Sequence, residues 1–174
     1  QTVLDAIVDN RYQHPGLTVM ADMTLTELSY RKLLVGVELL AEQWTRTLPA
    51  TSHPVGVMLP NVNACPVTVL SLWALGKLPA LLNYTAGPTT MLACCELAGI
   101  KTIVTSHRFL EKAKLDIQEL LQSGIKFVYL EEVREKISSR DRLRTLVKQM
   151  AVRPFQKQSR DVDDTAVVLF TSGS

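Results

Sequence analysis

Thr165-Ala166-Val167-Val168-Leu169-Phe170-Thr171-Ser172-Gly173-Ser174 joins an apolar run to a small, hydroxyl-rich end. Ala166 to Phe170 is apolar throughout and carries two β-branched valines and a Phe, so it reads as a strand covered on both faces, as in a parallel sheet. Thr171, Ser172 and Ser174 offer hydroxyls beyond that strand. Gly173 permits positive φ and close backbone approach, so successive N–H groups there can form a concave nest for an anion such as phosphate. A Ser/Gly turn that merely ends a strand is the plainer reading of the same four residues, since a lone glycine loop is a weak motif.

Working back from that strand, the chain from Pro54 alternates strand and helix with short links, the signature of a parallel α/β layer. Val55–Leu59 is the first strand of the layer, ended by Pro60-Asn61. Asn63 is a possible cap, Pro66 suits a first helical turn, and Val67 to Leu75 is apolar almost all round, which demands a deeply covered helix. Leu78–Asn83 gives the second strand, Thr90–Ala98 a helix closed by Gly99, Lys101–Thr105 the third strand, and His107–Gln122 a helix closed by Gly124. Lys126–Leu130 is the fourth strand and Val167–Phe170 the fifth. The expected fold is therefore α/β, a mainly parallel sheet of about five strands with helices on both faces. Crossovers should be right-handed, and ligands should gather at the strands' carboxyl ends. Asn83-Tyr84-Thr85, Thr105-Ser106 and Thr171–Ser174 all fall at such ends.

Ahead of this layer, Thr2–Asp9 has the one-sided spacing of a short helix, broken by His14-Pro15-Gly16. Leu17–Ala21 and Met23–Leu25 can pair as short strands around Asp22. Thr26, with Glu27 in the first turn, is a plausible N-cap for a long helix reaching about Thr45. Leu33, Leu34, Val37, Leu40, Ala41, Trp44 and Leu48 make its apolar stripe. Residues 1–174 are read as one domain, with 1–25 an appendage and 26–174 the α/β layer.

At 174 residues and 47% hydrophobic content, the chain can bury a substantial core. Nineteen basic against seventeen acidic side chains leave a formal charge of +2, too near balance for a nucleic-acid binder. Three cysteines, two of them the adjacent Cys94 and Cys95, make no disulfide framework and favour a reducing compartment. With three scattered histidines and no Cys-x-x-Cys, no metal site is expected. No run reaches the roughly 18 apolar residues of a membrane span, so the chain itself reads as soluble. Gln1 in first place suggests a piece of something longer.

Phe170-Thr171-Ser172-Gly173-Ser174 after an apolar strand resembles the opening of the phosphate-binding loop of the AMP-forming acyl-activating enzymes. In that superfamily a Thr/Glu-Gly-x-Pro-Lys-Gly half follows, which lies beyond Ser174. Leu25-Thr26-Glu27-Leu28 opening a long helix also resembles the family, one residue tighter than its usual string. Within the family, Val57-Met58-Leu59-Pro60-Asn61, Leu78 to Gly87, Ile100 to Ser106 and Val128-Tyr129-Leu130-Glu131-Glu132 are similar to one subfamily. That is the acyl-acyl-carrier-protein synthetase part of bacterial bifunctional 2-acylglycerophosphoethanolamine acyltransferases, and Asn83-Tyr84-Thr85-Ala86-Gly87 is the most specific string. The resemblance covers roughly residues 25 to 174. It implies an enzyme using ATP and Mg2+ that joins a fatty acid, through an acyl-adenylate, to an acyl carrier protein and then serves a lysophospholipid at the cytoplasmic side of the inner membrane. It implies that Thr171, Ser172, Gly173 and Ser174 hold the β- and γ-phosphates, with the catalytic groups downstream, so the fragment alone should be inactive. A free-standing α/β nucleotide-binding or interaction module is the alternative.

Asn83 and Tyr84 are equally explained by turn capping and packing, and Cys94-Cys95 by helix core. Lys136 to Arg160 is a basic segment whose only acid is Asp141. Leu143, Leu146, Val147, Met150 and Ala151 form an apolar stripe there, flanked by the row Arg140, Arg144 and Lys148. An ordinary surface helix would lay that stripe on the sheet. The functional reading puts Arg140, Arg144 and Lys148 against an anionic membrane surface or an acidic carrier protein.

Overall fold

A computed structural model describes residues 2–151 and 163–170. In chain order the elements are α1 (Val3–Gln13), β1 (Thr18–Ala21), β2 (Glu27–Ser29), α2 (Tyr30–Thr47), β3 (Val55–Val57), α3 (Ala64–Ala74), β4 (Pro79–Leu81), a 3-10 turn (Tyr84–Ala86) and α4 (Pro88–Ala98). Then follow β5 (Thr102–Thr105), α5 (His107–Ala113), α6 (Gln118–Gln122), β6 (Lys126–Tyr129), α7 (Leu130–Glu135), α8 (Ser139–Ala151) and β7 (Val168–Leu169).

Alternation along the short strands decides which helix covers which face. Val55, Val57, Leu59, Val104 and Val128 pack with Leu40, Trp44 and Leu48 of the α2 region, Leu72 of α3 and Val133 of α7. Their neighbours Met58, Ala80, Leu82 and Ile103 point the other way, onto Met91 and Cys95 of α4, Phe109 of α5 and Leu120 of α6. The sheet is parallel and ordered β6-β5-β3-β4-β7. The steps β3 to β4 and β4 to β5 run in opposite directions across the sheet, so right-handed crossovers put α3 and α4 on opposite faces. This is the three-layer α/β fold that the alternation implies. Outside it, β1 and β2 pair antiparallel, and Leu4, Ile7, Val19, Met20 and Leu28 pack on Leu33 and Val37 of α2 and Leu70 of α3.

The centre of the sheet is tightest at Gly56. A Cβ there would lie 2.8 Å from Ile103 Cγ1 and 3.2 Å from both Ile100 Cγ2 and Leu82 Cδ1. Glycine in this strand is therefore a packing requirement.

Five features differ from what the sequence predicts. The long helix starts at Tyr30, not Thr26: Ser29 is the N-cap, accepting from Lys32 N, while Thr26 belongs to a turn gathered by Asp22. The Asp22 carboxylate accepts from Thr24 N at 2.9 Å and Thr26 N at 3.2 Å, which delays the second short strand to Glu27–Ser29. The helix expected over His107–Gln122 breaks at Lys114, whose φ of 51° is left-handed; Asp116 then caps Gln118 N at 2.9 Å. Asn63 precedes α3 but makes no side-chain cap and instead donates from Nδ2 to Thr26 O at 2.6 Å. Finally, β7 is an edge strand: Val168 joins the core, whereas Leu169 is 61% exposed, so coverage is one-sided.

Replacing Gly56 by Ala should lower stability by about 1–3 kcal/mol, because the added methyl overpacks Ile103. Gly16→Ala, whose methyl meets nothing within 4 Å, should stay within about 0.5 kcal/mol in the same urea titration.

Candidate functional site

The carboxyl ends of the parallel strands form a polar rim. At the end of β4, Asn83 Oδ1 accepts from Thr85 N at 3.1 Å and from Thr85 Oγ1 at 2.7 Å, closing the short turn that Gly87, at φ 85°, releases into α4. Tyr84 turns inward and meets Phe109 edge-on with centroids 4.8 Å apart. Asn83 and Thr85 remain exposed, so turn capping and packing account for the first two residues of the string while its polar rim stays open. At the end of β5, the buried Thr105 Oγ1 donates to Met58 O at 2.7 Å and ties β5 to the chain leaving β3.

One further step along, Ser106 caps α5 by accepting from Phe109 N at 3.2 Å and donates to Glu131 Oε1 at 2.7 Å. Glu131 also accepts from His107 N at 3.1 Å and Arg108 N at 3.3 Å. Burial pushes the Glu131 carboxyl up, but the Ser106 hydroxyl and the backbone donors outweigh it and hold it below the usual carboxylate range. His107 stacks on Tyr129, centroids 3.6 Å apart, with Nε2 3.2 Å from Glu132 Oε1. The Glu131 brace is not visible along the chain; its signal is the parallel register, in which Thr105 pairs with Tyr129, one residue before Ser106 and two before Glu131.

Thr171, Ser172, Gly173 and Ser174 lie outside the described residues. The strand that leads to them, β7, lies against β4 with Ala80 opposite Val168 and Leu81 opposite Leu169. Trp73 of α3 fixes its approach, donating from Nε1 to Ala166 O at 2.7 Å. The Asn83–Thr85 rim thus follows the strand beside β7, whereas the Ser106–Glu131 brace belongs to β5 and β6 toward the far edge. The helices leaving β3 and β4 go to opposite faces, so the topological switch point of the sheet falls between those two strands.

The basic helix α8 packs against α2. Arg144 pairs with Glu42 and Lys148 with Glu38 at 2.5 Å, so two of the three residues expected to meet an anionic surface are engaged with α2. Glu42 holds the Arg144 guanidinium above its ordinary range. Arg140 alone of the three makes no ion pair among the described residues. Of the apolar stripe, Leu143 is 63% and Val147 57% exposed instead of lying on the sheet, while Thr145 and Gln149 are buried. Among the described residues no helix is long and apolar enough to cross a membrane.

The AMP-binding enzyme family profile matches residues 8–174. The chain belongs to that family. Its fold is that of an adenylate-forming enzyme's amino-terminal subdomain. The amino-terminal subdomain of Klebsiella oxytoca NpsA superposes with a TM-score of 0.73 at 14% identity, over 100% of this chain and 39% of that one. Bacillus subtilis o-succinylbenzoate CoA synthetase, in complex with the acyl-adenylate intermediate OSB-AMP, gives 0.75 at 15% identity over 100% and 40%. VinN in complex with L-aspartate gives 0.73 at 16% over 99% and 45%. The chain therefore spans less than half the length of these three solved proteins.

Hydroxyls and amides at strand ends suit phosphate oxygens. Among the described residues no group of three His, Cys, Asp or Glu side chains is placed to hold a metal ion. Because Glu131 titrates below its ordinary value, its bonds contribute stability above the unfolded value and lose it as pH falls through the folded one. Glu131→Gln should cost up to about 1 kcal/mol at pH 7, and the gap to the parent chain in urea unfolding should narrow as the pH is lowered through the folded value.

Proposed function

We propose that this chain is the amino-terminal part of an ATP-dependent ligase that activates fatty acids as acyl-adenylates and transfers them to the thiol of an acyl carrier protein. In this reading the enzyme is the synthetase half of a 2-acylglycerophosphoethanolamine acyltransferase, working on a lysophospholipid at the cytoplasmic face of the inner membrane. The observation that carries it is the Leu78–Gly87 string at the end of β4, in a chain of the AMP-binding family whose neighbouring strand runs into Phe170-Thr171-Ser172-Gly173-Ser174.

The chemistry asks for such residues. A fatty carboxylate and the α-phosphate of ATP are both anionic, and they approach only where phosphate charge is met by fixed donors. Thr171, Ser172 and Ser174 supply hydroxyls and Gly173 an unobstructed amide, so these four residues hold the β- and γ-phosphates. Mg2+, when bound, would add charge neutralisation across the phosphates. Asn83 and Thr85, exposed at the adjoining rim, line the approach of the acyl or carrier group.

ATP–pyrophosphate exchange tests this reading. The full enzyme should exchange with long-chain fatty acids, and Ser172→Ala should slow it about a hundredfold. The 174-residue chain alone should show no exchange. Exchange driven by aromatic or amino acids and not by fatty acids would move the enzyme to another branch of the family.

A further inference from the structure

Between α1, the start of α2 and α8 lies a cavity of about 110 Å3 lined by Arg11, Arg31, Leu146 and Gln149. It is on the opposite side of α2 from the sheet's main core and uses none of the residues assigned to adenylation. Arg11 is only 7% exposed. Its Nη2 donates to Gln149 O at 2.7 Å, and its Nε has no hydrogen-bond partner. Gln149 is 2% exposed; its Nε2 donates to Glu38 Oε2 at 3.0 Å, which leaves Oε1 without a partner. Glu38 is the nearby acid, and Lys148 Nζ already neutralises it at 2.5 Å. Among the described residues no carboxylate pairs with Arg11 or Arg31.

A guanidinium that is more than nine-tenths buried, without a counter-charge and beside a second guanidinium, is costly unless an anion completes it. We propose that Arg11 and Arg31 bind a phosphate group in this cavity. Planar guanidinium forks match phosphate oxygens, and a cavity of this size admits a single phosphate group. Gln149 Oε1 can only accept, so the fitting ligand carries an O–H beside its anionic oxygens, as a protonated phosphate or a glycerophosphate does and sulfate does not. Leu146 links the cavity to the exposed stripe of Leu143 and Val147, which Arg140 and Arg142 flank, so the phosphate is either free or the headgroup of a lipid whose chain lies along that stripe.

Calorimetric titration of the 174-residue chain with inorganic phosphate, at constant ionic strength, tests the site. Saturable binding is expected, about tenfold weaker in Arg31→Gln, unchanged in Lys112→Gln, and weaker for sulfate than for phosphate. Arg31 sits on the exposed rim, so its variant should fold even where Arg11→Gln does not. Co-sedimentation with phosphatidylglycerol against phosphatidylcholine vesicles identifies the source. Loss of vesicle binding in both Arg31→Gln and Leu146→Ser assigns a lipid headgroup, and phosphate binding without vesicle binding assigns the free anion. Neither phosphate nor vesicles bound, or equal binding by parent and Arg31→Gln, overturns the proposal. Because no ATP chemistry is measured, failure here leaves the adenylation reading intact, and loss of pyrophosphate exchange leaves this one intact.

Discussion

The close approach of β3 to β5 across Gly56 is the constraint on which the rest depends. With no Cβ at that position, Ile100 and Ile103 fill the centre of one sheet face, and the three-residue strand can remain buried on both sides. A bulkier residue would push Ile103 outward and shift β5 along with the α5 and α6 packing that Ile103 shares with Phe109 and Leu120. Core packing at near-crystalline density transmits such a shift instead of absorbing it. The strand ends that build the rim are therefore positioned by a hydrogen atom at the sheet's middle.

Buried polar bonds then fix what apolar packing leaves free. Thr105 Oγ1 on Met58 O prevents β5 from sliding past the β3 exit, and Trp44 Nε1 on Ser71 Oγ at 2.7 Å sets the rotation of α3 against α2. Trp73, on the same α3, reaches Ala166 and so couples that helix to the approach of β7. Hydrophobic burial supplies most of the energy but little direction, and these few directional bonds select one arrangement of the carboxyl ends.

The sheet was legible because its strands are short runs rich in β-branched and apolar residues bounded by glycine and proline, and Val55–Leu59, Lys101–Thr105 and Lys126–Leu130 all contain observed strands. The helix start was ambiguous for a local reason. Thr26 and Ser29 are both capping residues three positions apart, and the choice between them is made by Asp22, whose pairing across the hairpin is not encoded in either residue. Likewise the break at Lys114 trades helix continuity for burial of Ile117. The rim at Asn83 could be placed from the strand pattern, whereas the Glu131 brace needed the strand order, because it joins residues twenty-five positions apart across β5 and β6. The phosphate role proposed for Thr171–Ser174 rests on resemblance, since hydroxyls and glycine after a strand are shared by many turns.

Helix α8 shows most plainly why periodicity finds a face without saying where it points. The spacing of Leu143, Leu146 and Val147 is unmistakable, yet the side toward α2 carries Thr145 and Gln149, with Arg144 and Lys148 reaching Glu42 and Glu38. That seam is a matter of complementarity between two helices: α2 places its acids four apart, and α8 answers with bases four apart. An apolar contact would bury more surface, and surface ion pairs contribute little, so stability alone does not favour the seam. What it does provide is orientation. By satisfying Glu38 with Lys148 and Gln149, it fixes the helix so that the leucines face outward and, among the described residues, Arg11 of α1 and Arg31 of α2 have no ion pair. The same pairing that holds α8 therefore creates the positive cavity beside it, and the polar face of the helix determines what its apolar face is free to meet.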